Sequence, residues 1–278
     1  MWAVDPWAEH VDAMNVRGLR VTGLADFVAG VHARTDGSDL PACDFGLVAT
    51  KAPHTRAAVE GAQAALANAA VVSVQNGLGN EEVIAEIVPR VIRGSIITAG
   101  AIVAPGVVRY DAPGNSWFGP FEPRPAPMSE VEQLARLLTG GGLRTHALKD
   151  ARGAQWTKVI FNAATSPLAA LTGLPVGRVC TDTGLRRLLD RLIAEAEVVC
   201  EQAGIVLARS PREAVEEAIA EAYDHKPSML QDVLARRATE IDVLSGGVSA
   251  EGRRVGVPTP LHDCMVALVQ GLERSWPG

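Results

Sequence analysis

The 278-residue chain reads as an α/β domain followed by an all-helical domain, and three observations predict this. Short apolar runs alternate with helical patterns through the first half, which marks a mostly parallel sheet covered by helices. From about residue 150 the apolar residues recur only at helical spacing. Near the end of the first region, Gly140-Gly141-Gly142 stops one helix ahead of a last strand. The predicted domains are 1–148 and 149–278, and the junction of two such domains is a natural place for a ligand.

Taken in order, Trp2–Val4, Val28–Val31, Phe45–Ala49, Ala70–Val74 and Arg93–Thr98 read as strands, with helices over Thr55–Leu66 and Glu81–Ile87 between them. Val107–Tyr110 and Ser116–Phe118 read as a hairpin around Asp111–Asn115. The proline-rich stretch Pro120–Pro127 is a surface loop. Helix Glu130–Leu138 and strand Leu143–His146 close the α/β region. In the second half, Leu185, Leu188, Leu189, Leu192, Ile193, Ala196 and Val199 mark one helix, ended by Gly204. Ser210-Pro211-Arg212-Glu213 is a capping box. Leu230, Val233, Leu234, Ile241 and Leu244 mark another helix, and Leu261–Leu272 the last.

Composition excludes several functions. Apolar residues make up 47% and charged residues 21%, ordinary for a soluble globular protein. A net charge of −6 argues against a general nucleic-acid surface. No apolar run reaches the roughly 18 residues of a membrane span, and Met1-Trp2-Ala3-Val4-Asp5 lacks the basic and long apolar regions of a secretory signal. Cys43, Cys180, Cys200 and Cys264 lie far apart, which suits free thiols in a reducing compartment and disfavours a zinc site. The expectation is a cytoplasmic enzyme with no metal, no nucleic-acid partner and no membrane partner.

Chemistry concentrates in four segments. Ala70–Val74 runs into Gln75-Asn76-Gly77-Leu78-Gly79-Asn80-Glu81, a strand, a glycine-punctuated turn and an acid-led helix start. Asn76 sits where strand becomes turn, the ligand crevice of an open α/β sheet. A plain turn whose glycines supply positive φ is the competing reading. Lys158, Asn162 and Ser166 are spaced i, i+4, i+8 and share one helix face, flanked by Trp156, Val159, Ile160 and Phe161. Ser228-Met229-Leu230-Gln231-Asp232 and Thr239-Glu240-Ile241-Asp242 follow. If one helix connects Ser228 to Glu240, the two residues face similar directions a little over three turns apart. Ser228 as an N-cap after Pro227, and Glu240 as an exposed acid paired with Arg236 or Arg237, are the ordinary alternatives.

These segments, in this order, resemble the ketopantoate reductase family: its Gln-Asn-Gly-Leu-Gly-Asn-Glu turn, its Trp-x-Lys-x-x-x-Asn helix, its Ser-Met-x-Gln-Asp and Thr-Glu-Ile-Asp motifs, and a closing loop matched by Gly252, Gly256, Pro258, Thr259 and Pro260. The resemblance implies a Rossmann-type dinucleotide-binding domain and a helical substrate and dimerisation domain. It implies reduction of ketopantoate, or a related 2-oxo acid, with NADPH, in the route to pantothenate. Lys158 is then the acid that protonates the developing alkoxide. Glu240 receives a substrate hydroxyl and orients Lys158. Asn162 and Ser166 line the substrate site, Ser228 takes the carboxylate, Asn76 lies near the nicotinamide ribose, and Lys51 approaches the cofactor. A homodimer is compatible with the resemblance.

The match departs in three places. The fingerprint strand–GxGxxG–helix is absent ahead of Trp2, so the Rossmann domain is expected to be truncated before its second strand and to hold dinucleotide weakly. A non-catalytic remnant is therefore one alternative, and another two-domain hydroxyacid or opine-type dehydrogenase is a second. Asp5 stands where the ribose-binding acid of that second strand falls, which disfavours a 2′-phosphate and admits NADH. Ser166 and Val176 replace amides of the family pattern, which opens the site to a more apolar 2-oxo acid.

Overall fold

The computed structural model describes residues 1–276. The chain divides into two compact units: Met1–Gln75 with Asn80–Ala151, and Asn76–Gly79 with Arg152 onward.

The first unit runs β1 (Trp2–Val4), α1 (Ala8–Arg17), β2 (Leu19–Gly23), β3 (Phe27–Ala29), β4 (His32–Arg34), β5 (Phe45–Val48), α2 (Thr55–Gly61), α3 (Gln63–Leu66), β6 (Ala70–Ser73), α4 (Asn80–Ala85), β7 (Arg90–Ile96), β8 (Ala99–Ala104), β9 (Val107–Ala112), β10 (Ser116–Pro120), α5 (Met128–Gly140) and β11 (Thr145–Ala147). Its main sheet has the order β11-β10-β7-β6-β5. Strands β5, β6 and β7 are parallel and β10 runs antiparallel to β7. Every residue of β6 is buried. Val71 packs with Val59, Ile84 and Val91, while Ala70 and Val72 pack with Phe118, Val131 and Leu134. A strand covered on both faces needs this unbroken small and β-branched run.

β1 pairs only with β4, in a separate two-stranded sheet, and a third sheet has the order β3-β2-β9-β8. Two strand expectations are corrected here. Val107–Tyr110 and Ser116–Phe118 do not pair: β9 lies between β2 and β8, and β10 between β7 and β11. The hairpin is instead β8–β9, turning at Pro105-Gly106 with Gly106 at φ +71°, where proline and glycine supply the turn geometry. The run Val28–Val31 holds only the end of β3, Val28–Ala29, while Gly30 and Val31 lie between β3 and β4.

The second unit is helical beyond its four-residue turn: α6 (Arg152–Thr172), α7 (Val176–Thr181), α8 (Thr183–Gln202), α9 (Pro211–Glu221), α10 (Ser228–Leu234), α11 (Ser245–Val255) and α12 (Pro260–Arg274). α6 is its axis, with Trp156, Val159, Ile160, Ala163, Leu168 and Ala169 in the core. Pro167 sits inside α6 and cannot donate to the carbonyl of Ala163, four residues back. The buried Ser245 hydroxyl donates to that carbonyl instead, at 3.3 Å. Among the described residues no helix is long and apolar enough to cross a membrane.

The helix expected through Leu230 to Leu244 is also corrected. α10 stops at Leu234, and Arg236 adopts a left-handed φ of +51°. Residues 235–240 read Ala-Arg-Arg-Ala-Thr-Glu and offer no large apolar side chain to hold a helix face against the core. Asp232 draws the chain back by accepting from Arg237 Nε at 3.1 Å. Ser228 and Glu240 therefore do not share a helix.

Candidate active site

The Gln75–Asn80 turn is held at its ends and in its middle by different parts of the chain. Gln75 Nε2 donates to the Thr50 carbonyl at 2.9 Å and to Thr55 Oγ1 at 2.7 Å. Thr55 Oγ1 also lies 3.2 Å from Asn80 Oδ1. The middle of the turn bonds to Glu240–Val243: Asn76 Nδ2 donates to Glu240 Oε2 at 3.3 Å, and Leu78 N–H donates to the Val243 carbonyl at 2.8 Å. Gly77, at φ +83°, lies so close to Val243 that a Cβ would stand 2.5 Å from its carbonyl oxygen. Here glycine is required both by the backbone and by the approach.

Glu240 is 6% exposed. Its carboxylate is one charge felt by Lys158, half-buried on α6. Burial pulls the Lys158 ammonium down from 10.5 to about 8, and Glu240 opposes that fall. A buried cation is disfavoured by desolvation and favoured by a nearby anion, and here desolvation dominates. Asn76, Lys158 and Glu240 thus form one polar cluster in the second unit. The alternative of an exposed Glu240 does not hold, because Glu240 is buried; Arg237 pairs with Asp232.

Asn162 follows Lys158 by one turn of α6 and is half-buried, and Ser166 one turn further is 3% exposed. Ser228 is exposed and is the first helical residue of α10, with Pro227 at the cap position. It is therefore not the N-cap. Val176 is a core residue of the helical unit. Asp5 and Lys51 belong to the first unit. Asp5 Oδ1 accepts from the Trp7 N–H at 2.8 Å, and Lys51 is exposed at the end of β5's loop. No cluster of three His, Cys, Asp or Glu able to hold a metal occurs among the described residues.

Two contacts in this neighbourhood carry no sequence signal. Asp232 anchors Arg237, and Glu273 of α12 accepts from the Thr239 N–H at 2.8 Å. The second partner lies 34 residues away, and no local pattern announces it.

A parallel-stranded α/β unit, together with a helical unit whose central helix sets a half-buried lysine against a buried carboxylate, defines the class of two-domain oxidoreductases. The comparisons with known proteins narrow this. The family model described as ketopantoate reductase PanE/ApbA matches residues 1–123, and its C-terminal counterpart matches residues 150–273. The 2-dehydropantoate 2-reductase of Pyrococcus horikoshii is 31% identical over 268 residues, covering 95% of this chain and 87% of that protein. The crystal structure of a PanE/ApbA family ketopantoate reductase from Ralstonia eutropha JMP134 superposes with a TM-score of 0.86 at 25% identity, covering 99% of both chains. D-mandelate dehydrogenase, in a ternary structure with NADH and anilino(oxo)acetate, shares the fold with a TM-score of 0.88 at 23% identity, over 99% of this chain and 91% of that one. The chain belongs to the ketopantoate reductase PanE/ApbA family, with a Rossmann-like domain followed by a helical one. The first family model matches from residue 1, and nothing in these matches bears out the expected truncation.

The family implies a nicotinamide dinucleotide, and the described residues fit it unevenly. Amide and ammonium groups suited to polar atoms stand at Asn76 and Lys158. A pyrophosphate needs free backbone N–H groups at a glycine-rich helix start. β1 instead enters α1 through Asp5-Pro6-Trp7. Proline has no N–H, and the Trp7 N–H is taken by the Asp5 carboxylate. This helix start does not fit a pyrophosphate.

Proposed function

We propose that this chain reduces a 2-oxo acid, with ketopantoate or a related 2-oxo acid as substrate and pantoate or the corresponding 2-hydroxy acid as product. In the family a reduced nicotinamide supplies the hydride. When the carbonyl carbon gains that hydride, the π pair moves to oxygen and an alkoxide develops. Lys158 donates a proton from Nζ to that oxygen and is left as the neutral amine. Its ammonium is well suited, because a titration near 8 keeps it charged at neutral pH yet close to transfer. Glu240 keeps Lys158 protonated and offers its carboxylate to a substrate hydroxyl. Asn162 and Ser166 extend the polar face along α6, Ser228 takes the substrate carboxylate, and Asn76 serves the nicotinamide end, with Lys51 toward the cofactor. The observation that carries this reading is the buried Glu240, bonded by Asn76 Nδ2 and acting by its charge on Lys158.

Asp5 favours NADH over NADPH in this reading, since a carboxylate there repels a 2′-phosphate. The deciding assay follows nicotinamide oxidation by the chain with a panel of 2-oxo acids and both cofactors. Turnover lost in Lys158→Ala supports the reductase. No turnover with any acid at saturating NADH or NADPH overturns it.

A further inference from the structure

Glu240 sits at the end of a six-residue connection, 235–240, between α10 and the turn that leads into α11. Its own carbonyl is held, accepting from Val243 N–H at 3.3 Å and Leu244 N–H at 3.1 Å. The other side of the residue is held at Thr239, whose N–H donates to Glu273 Oε1 at 2.8 Å, and whose Oγ1 accepts from Ile241 N–H at 3.3 Å. Farther back, Arg237 is tied to Asp232. Glu273 lies in the last turn of α12, where a carboxylate opposes the helix dipole. Helix stability gives no reason for an acid at that position. Its bond to the Ala238–Thr239 peptide, one residue ahead of Glu240, does.

We propose that Glu273 is a positioning residue that holds the Glu240 carboxylate beside Lys158. The inference rests on the proposed roles of Lys158 and Glu240. Glu273 acts on Glu240 through the Ala238–Thr239 peptide, not through a bond to Lys158. Without its acceptor the Thr239 N–H is left unpaired in a buried segment, a cost that shifts the connection. Displacing Glu240 removes the charge that supports the Lys158 ammonium.

The test reads Lys158 directly, without cofactor or substrate. The chain has four lysines, Lys51, Lys149, Lys158 and Lys226, so reductive 13C-methylation gives a short NMR spectrum in which Lys158→Arg assigns the Lys158 signal. Glu240→Gln sets the scale by lowering the Lys158 titration. Glu273→Ala is expected to lower it in the same direction, on the order of 0.5 to 1 pH unit, the lower part of what a nearby opposite charge supplies. Glu273→Gln, whose amide oxygen can still accept from Thr239, is expected to restore the parent value. Glu273→Asp keeps the charge but shortens the reach, and it replaces Glu273→Ala if that variant does not fold. A shift in Glu240→Gln with none in Glu273→Ala or Glu273→Asp overturns the proposal alone. No shift in Glu240→Gln overturns those roles and the proposal with them. Absent reductase turnover with the expected shifts intact leaves the positioning role standing and counts against the reductase reading only.

Discussion

Lys158 owes its chemistry to two opposing surroundings, the apolar interior that expels its proton and the Glu240 carboxylate that retains it. The working species in the proposed reaction is the ammonium, so kcat/KM should fall as pH rises through about 8, and a profile flat to pH 10 would count against the role. Lys158→Ala should lower kcat roughly 100- to 10,000-fold, the range of a positioned general acid. Its melting temperature should hold or rise, because burying an ammonium is unfavourable. A second buried group works in the opposite direction. His262 is fully buried, its Nε2–H donates to the Leu192 carbonyl at 3.1 Å, and its Nδ1 has no partner. Burial holds its pKa below the ordinary 6.5, against the pull of Glu195 and Asp263. The unfolded chain therefore binds a proton at a higher pH than the folded one. Stability from this group is complete above about 6.5 and declines as pH falls toward the folded value. Chemical denaturation at pH 7.5 and pH 5.5 should show that decline, and His262→Gln should reduce it.

At the level of elements, two joints define where the cluster stands. The first is the glycine turn. Gly77 and Gly79 both have positive φ, but only Gly77 faces a neighbour within 4 Å. Gly77→Ala should therefore lower turnover more than Gly79→Ala, because it pushes the turn off Val243 and strains the Asn76–Glu240 bond. Equal effects would reduce the site to a matter of backbone φ. The second joint is the proline in α6. Ser245 replaces the donor that Pro167 removes, and Ser245→Ala leaves the Ala163 carbonyl buried without it. Urea denaturation should show a loss of about 1–3 kcal/mol, the cost of an unsatisfied buried acceptor.

For the molecule as a whole, the Asp5 carboxylate bears on which dinucleotide the proposed reductase takes. Isothermal titration or fluorescence should find NADH bound at least as well as NADPH because of Asp5. NADPH bound much more tightly than NADH would overturn that expectation.

Periodicity and turn chemistry alone determined the α/β-then-α order, the buried β6, the helix carrying Lys158 and the motifs around Asn76, Ser228 and Glu240. These are local properties, written within a few turns of chain. Strand partners were not legible, so β8 and the Pro105-Gly106 hairpin appeared only when β9 was seen between β2 and β8. Nor was the break after Leu234, where Asp232 and Arg237 outweigh an apparently helical spacing. The 3.3 Å bond between Asn76 and Glu240, 164 residues apart, and the Glu273 acceptor on Thr239 belong to the tertiary structure. Hydrogen bonds between distant segments depend on how the helices pack, and packing sums many contacts that no single stretch of sequence contains.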